Sequence, residues 1–209
     1  MQTKNKDFYL VAVIGFLVGV LVIFPATSFG IKFTPLKVLA SVIFFSFFAP
    51  LALLILKKLA RFWPLLDQLG KFLATGSLNF FLDFGVLNIL ILLTNITNGV
   101  YYVVFKIISF LVASTNSYFW NKFWVFGGGK RANAGEYGLF FTTTAIGAAI
   151  NIGIAAFIVN VIGAPHGINP KVWSNVGALV AVIFSLFWNF ISYKFLVFKP
   201  KGKTNPTNA

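Results

Sequence analysis

Cysteine is absent from this chain, and carboxylates nearly so, with four Asp and Glu against seventeen Lys and Arg. No thiolate metal site is available, and cysteine usage says nothing of the redox compartment. Charge of either sign is scarce: 10% of the residues are charged, far below the about 25% that a water-soluble surface carries. With 58% hydrophobic residues and a mean hydropathy of +0.88, the 209-residue chain reads as a membrane protein. The few acids, Asp7, Asp67, Asp83 and Glu136, all fall away from the predicted external side. The paired or external carboxylates expected of a membrane glycosyltransferase or metal hydrolase are therefore missing. The single histidine, His166, lies in a short connector and reads as a loop residue. The run from Gly127 to Lys130 lacks the strand-to-helix context and spacing of a phosphate loop. The expectation is a protein that is not an enzyme and has no cofactor and no metal.

What the chain has in quantity is apolar runs near the about 20 residues that cross hydrocarbon. Six occur: Phe8 to Phe24, Leu36 to Leu56, Phe72 to Leu93, Tyr101 to Trp120, Leu139 to Ile162 and Val172 to Tyr193. The connectors carry Pro25, Gly30, Pro64, Gly70, Gly127 to Gly129, Gly163 and Pro165, which suit turns. Lys4, Lys6 and the small residues Ala26-Thr27-Ser28 also fit a secretory signal, but the first apolar core exceeds the usual 7 to 15 residues, so a retained helix is expected. Gly15 and Gly19 within it form a G-x-x-x-G, a weak sign of helix packing.

The cations divide unevenly among the connectors. Thirteen (Lys4, Lys6, Lys57, Lys58, Arg61, Lys71, Lys122, Lys130, Arg131, Lys194, Lys199, Lys201, Lys203) fall on one side. Three, Lys32, Lys37 and Lys171, fall on the other. The positive-inside rule then puts both termini in the cytoplasm, and the formal charge of +13 needs no nucleic acid to explain it.

Shifted by 72 residues, the chain matches itself. Lys122-Phe123-Trp124-Val125-Phe126 falls on Lys194-Phe195-Leu196-Val197-Phe198, Asn79 on Asn151, Asn88 on Asn160 and Ser117 on Asn189. Each copy holds two spans, so the copies enter the membrane from the same side as a parallel repeat. The expected fold is an all-α integral membrane protein of six transmembrane helices, the last four a parallel repeat of two helical hairpins. Its expected parts are an N-terminal two-helix segment over 1–66, a four-helix domain over 67–199 and a disordered cytoplasmic tail over 200–209.

The seventeenth cation, Lys106, falls inside a span, as does Asp83. Asp83 is about 12 residues from the cytoplasmic end, hence about 18 Å deep. Thr75, Asn79 and Asp83 recur every four residues on one helix face. Lys106, Ser109, Ala113 and Asn116 make a similar stripe on the next, oppositely directed helix. An unpaired charge there costs several kcal/mol, so an Asp83–Lys106 pair is expected, either as a device that fixes register or as part of a polar path. The shift by 72 sets Ala155 and Ala178 opposite these positions, so the pair belongs to one copy only.

Lys71-Phe72-Leu73 leading to Asn79 and Asp83, then Asn-Ser-Tyr-Phe-Trp-Asn-Lys-Phe-Trp-Val-Phe over 116–126, then Trp188-Asn189-Phe190 through Lys194 to Val197-Phe198, resembles the GtrA-like family of small four-span membrane proteins. The resemblance covers about 71–198 and leaves the first two spans unassigned; the second copy departs at Tyr193 and Leu196, where the first has Asn121 and Trp124. It implies a role in cell-surface polysaccharide synthesis, moving a polyprenyl-phosphate-linked sugar such as undecaprenyl-phosphate glucose across the cytoplasmic membrane for a membrane glycosyltransferase. A non-transporting scaffold that positions such an enzyme is the alternative. A small multidrug exporter fits poorly, because no Glu falls in any span. Expected partners are that lipid-linked sugar, membrane lipids and the glycosyltransferase; self-association is left open.

The aromatic stretch supports two readings. Its Tyr and Trp rings suit an aromatic belt at headgroup depth, with Lys122 obeying the charge rule. Alternatively, Asn116, Tyr118, Trp120, Asn121, Lys122 and Trp124, with Asn189 and Lys194, bind a lipid phosphate and cover its first polyprenyl units. In that reading Thr75, Asn79, Asp83, Lys106 and Ser109 line the intramembrane polar path.

Overall fold

The computed structural model describes residues 2–24, 31–32, 34–96, 99–127, 131–168 and 170–198, and these residues form helices and no strands. The expected tail and the connector residues Pro25, Gly30 and Gly128 to Lys130 lie outside the described residues. Among the described residues six α-helices follow in order: α1 (Gln2–Leu21), α2 (Pro35–Leu59), α3 (Leu65–Thr94), α4 (Gly99–Trp120), α5 (Ala134–Ala156) and α6 (Pro170–Ser192). Among the described residues four segments are long and apolar enough to cross a bilayer: Pro35–Leu59, Leu65–Thr94, Ala134–Ile154 and Val180–Val197.

Local chemistry sets the boundaries. Thr34 is extended and its side chain accepts from the Lys37 N–H, while Pro35, which has no N–H to satisfy, opens α2. Lys57 and Lys58 lie in the last turn, where the helix dipole favours cations. Asn95 ends α3 in the left-handed conformation, at φ 57°, with its N–H on the Ile91 carbonyl. Asn133 caps α5 through its side-chain oxygen, which accepts from the N–H groups of Gly135 and Glu136.

α4, α5 and α6 each run on into a π-helical turn, over Asn121–Val125, Phe157–Ile162 and Tyr193–Val197. The Phe198 N–H donates to the Tyr193 carbonyl at 2.8 Å and the Gly163 N–H to the Ile158 carbonyl at 3.2 Å, both spanning five residues as this turn requires. The turns after α4 and α6 are 72 residues apart, the offset at which the sequence matches itself.

By packing, the chain divides into Met1–Val125 and Phe126–Ala209. The sequence division at 66/67 follows where the family likeness begins; the packing division instead keeps α1 and α2 with α3 and α4. In the first unit α1 and α2 are antiparallel and meet backbone to backbone. A Cβ at Gly15 would lie 2.2 Å from the Phe45 carbonyl oxygen and one at Gly19 2.6 Å from the Val42 Cα, so the G-x-x-x-G is the seat of α2. Ser41 closes the contact by donating to the Gly19 carbonyl at 2.8 Å. Ile14 and Val18 of α1 and Leu78 of α3 make the core, with Phe45, Phe81, Trp120 and Trp124 against it. In the second unit the rings of Phe140 and Tyr193 lie 4.5 Å apart, tilted by 32°, and those of Phe126 and Phe198 stack at 5.5 Å.

Candidate functional site

α3 and α4 run antiparallel, and the two polar stripes face each other. The Lys106 ammonium donates to Asp83 Oδ2, and Ser109 donates to Asp83 Oδ1 at 2.6 Å, so each carboxylate oxygen has its own donor. Toward the other end of the hairpin, Asn116 Nδ2 donates to Asn79 Oδ1 at 2.7 Å. Ser109 and Thr75 are fully buried, and Ala113 beside them is small enough to let the helices approach. The Asn79 Nδ2 and Thr75 Oγ1 atoms are buried and have no hydrogen-bond partner. The ion pair is more open than its depth suggests: the side chains of Lys106 and Asp83 are 45% and 21% exposed, and the Phe84 ring lies 5.8 Å from the ammonium. It sits on the flank of the hairpin and not in its seam.

The aromatic stretch at the end of α4 differs from a surface belt. Tyr118 at the end of α4 and Asn121 and Lys122 in the π turn are buried, each at 1% exposure. Asn121 Nδ2 donates to the Ser117 carbonyl at 2.8 Å, and its Oδ1 has no partner. The Lys122 ammonium lies 5.8 Å from the Tyr118 ring. Of the residues expected at a phosphate site, Lys122 and Asn121 are thus buried. Trp120 and Trp124 turn toward α1, and Trp124 Nε1 donates to Asp7 Oδ1 at 2.8 Å. The outward rings are Phe119 and Phe123, stacked at 6.1 Å.

Asn189 and Lys194 belong to the second unit. Asn189 packs on Gly147, where a Cβ would lie 2.2 Å from its Oδ1, and that oxygen has no hydrogen-bond partner. Lys194 is half-buried, its ammonium 5.9 Å from the Phe190 ring and 5.5 Å from the Phe195 ring. Asn151 reaches across its hairpin to Ser185 at 3.4 Å, as Asn79 reaches Asn116. Ala155 and Ala178 lie among side chains outside the described set. His166 is exposed in the turn before α6.

The sequence reading missed a ring of four charges. Lys57 Nζ lies 2.6 Å from Asp7 and 3.1 Å from Asp67, and Lys71 Nζ lies 2.9 Å from Asp7 and 3.2 Å from Asp67. Burial raises the Asp7 pKa, but the hydrogen bonds from Lys57, Lys71 and Trp124 outweigh it and hold the carboxyl below its ordinary value. The signal was available: Asp7 precedes the first apolar run, Lys57 follows the second and Lys71 precedes the third, so topology alone puts them in one plane.

Long apolar helices, with an ion pair and an amide contact displayed along one hairpin, define a multi-pass helical membrane protein. The match to a family of such proteins runs from Lys71, in the charge ring, to Phe198, the last ring of the second hairpin: the chain belongs to the family described as GtrA/DPMS, transmembrane domain, whose model matches residues 71–198, more than half of it. Membership associates it with membrane proteins of polysaccharide synthesis and glycosylation. Among curated proteins and solved structures, none matches the chain.

Proposed function

We propose that this protein translocates a polyprenyl-phosphate-linked sugar, such as undecaprenyl-phosphate glucose, across the cytoplasmic membrane for cell-surface glycan synthesis, with neither catalysis nor an ATPase of its own. The observation that carries the reading is the polar flank of the α3–α4 hairpin, inside the family-matched region. Asp83, Lys106, Ser109, Asn79 and Asn116 offer a sugar headgroup hydrogen-bonding partners at depths where lipid offers none. The half-exposed Lys106 and the unpartnered Asn79 Nδ2 are the groups with capacity to spare. In this reading all six helices span, both termini are cytoplasmic, and the two hairpins are copies. The π turns at Asn121–Val125 and Tyr193–Val197 support the duplication, as do the amides Asn79 and Asn151, each bridging its own hairpin.

The test is reconstitution of the purified chain in vesicles carrying a fluorescent lipid-linked sugar in both leaflets, with a membrane-impermeant quencher outside. Translocation by the protein alone supports the proposal. Vesicles in which only the outer half of the label is ever quenched, and which supply lumenal sugar only when a glycosyltransferase is added, make it a scaffold instead.

A further inference from the structure

The family-matched region begins at residue 71, which leaves α1, α2 and the start of α3 without a role. These three helices enclose a cavity of about 250 Å³ on the inner side of the charge ring, lined by Val11, Ile14, Phe48, Leu53, Gly70 and Phe81. A 150 Å³ apolar cavity holds a six-carbon ring, so this volume takes about ten carbon atoms, or two isoprene units. Its walls are almost wholly apolar, so it suits hydrocarbon and not a polar group.

A second hollow, of about 460 Å³, lies at the end of the same helices and is lined by Phe8, Leu54, Lys57, Lys58, Arg61 and Asp67. Each helix contributes to both spaces at positions one turn apart: Phe8 and Val11 on α1, Lys57 and Leu53 on α2, Asp67 and Gly70 on α3. Lys57 is committed to Asp7 and Asp67, whereas Lys58 and Arg61 make no ion pair among the described residues. The charge ring and this hollow together hold Lys57, Lys58, Arg61 and Lys71 against Asp7 and Asp67, four cations to two carboxylates. The surplus of two positive charges suits one phosphate, which a guanidinium can grip through two N–H groups.

We infer that α1, α2 and α3 form a binding site for a phosphate ester on a single polyprenyl chain, with the phosphate at Lys58 and Arg61 and the first isoprene units in the cavity. The inference rests on the proposed function for its choice of lipid. Charge and volume together select the occupant: an uncharged polyprenol leaves the surplus unneutralised, free phosphate leaves the cavity empty, and a two-chain lipid offers one chain too many.

The full-length protein in phosphatidylcholine nanodiscs, with tritiated undecaprenyl phosphate as probe, decides the matter. Lys58→Gln with Arg61→Gln, both outside the core, should weaken binding about thirtyfold, which is about 2 kcal/mol for two juxtamembrane cations. Ala52→Leu, which fills the cavity wall, should weaken it at least tenfold without changing the response to inorganic phosphate. Should that variant fail to fold, the charge pair decides alone. Unchanged binding in the folded double variant overturns the inference, as does displacement of the probe by a tenfold excess of phosphatidylglycerol, of undecaprenol or of inorganic phosphate. The two readings fail separately. Absence of translocation with this binding intact removes the transport function and leaves the site, and binding unchanged in the double variant while translocation persists removes the site and leaves the function.

Discussion

The Asp83–Lys106 pair makes the sharpest demand on the structure, because its two halves are not equally replaceable. Asp83→Asn keeps an oxygen for the Ser109 hydroxyl and leaves Lys106 with the Phe84 ring at 5.8 Å. A lysine side chain that is already 45% exposed can also snorkel toward a membrane surface. Lys106→Met leaves a carboxylate with one hydroxyl donor, 21% exposed and on a shorter stem that cannot reach water. A central intramembrane charge costs about 2.5 to 3.5 kcal/mol, so Lys106→Met should cost about 2 to 3 kcal/mol and Asp83→Asn about 1. The double variant strands neither charge and should recover about 1 to 2 kcal/mol relative to the sum of the singles. Unfolding of the purified parent and variants in bicelles, followed by steric trapping, reads all four corners of the cycle. Additive effects would refute the reasoning, since a contact made in the native state must couple. The same double variant separates roles in vesicles: if the flank serves headgroup passage, the stable double variant no longer translocates labelled lipid.

Three further outcomes are expected. Gly15→Ala places a methyl 2.2 Å from the Phe45 carbonyl oxygen, so α2 must move and thermal unfolding in detergent should show a loss of about 1 to 3 kcal/mol; an unchanged melting temperature would mean the helices do not meet there. Because the folded pKa of Asp7 is depressed, its contribution to stability is present above the unfolded carboxylate value of about 3.9 and is lost as pH falls through the folded value. An acid titration of stability should therefore be flatter for Asp7→Asn, and parallel curves would remove the carboxylate from the network. Cysteine at Ala164 should react with an impermeant maleimide outside intact cells and cysteine at Ala132 should not; the reverse pattern would invert the orientation drawn from the cation count.

Most of the helical architecture was legible, because apolar run length and turn residues are local properties. Thr34-Pro35 opens α2 and Asn133 caps α5 by rules that read directly off the chain. The stripes on α3 and α4 were legible for the same reason: a period of four puts Asp83 and Asn79 on one face, the expected partner Lys106 is the one the structure brings to Asp83, and Asn116 of the facing stripe meets Asn79. The inward turn of Tyr118, Asn121 and Lys122 was not legible. Helical spacing puts them on a common face, but whether that face meets lipid or protein depends on what packs there. A π turn, which shifts the face, leaves no mark in composition. The partners of Asp7 lie 50 and more residues away, where the order of the apolar runs, and not periodicity, brings them to one plane.

That separation gives the charge ring a history in time. Asp7 leaves the ribosome first, Lys57 follows 50 residues later, and the Trp124 indole that completes the carboxylate's set comes 117 residues later. At 5 to 20 residues per second, about 3 to 10 s pass before the first cation arrives and about 6 to 23 s before the last donor. With all six helices spanning, as proposed above, α1 therefore holds a carboxylate without these partners at the membrane boundary during synthesis, where water can still solvate it. Asp7 stands at Phe8, the edge of the apolar run, where that wait is tolerable; one turn deeper, the same residue would spend those seconds in hydrocarbon.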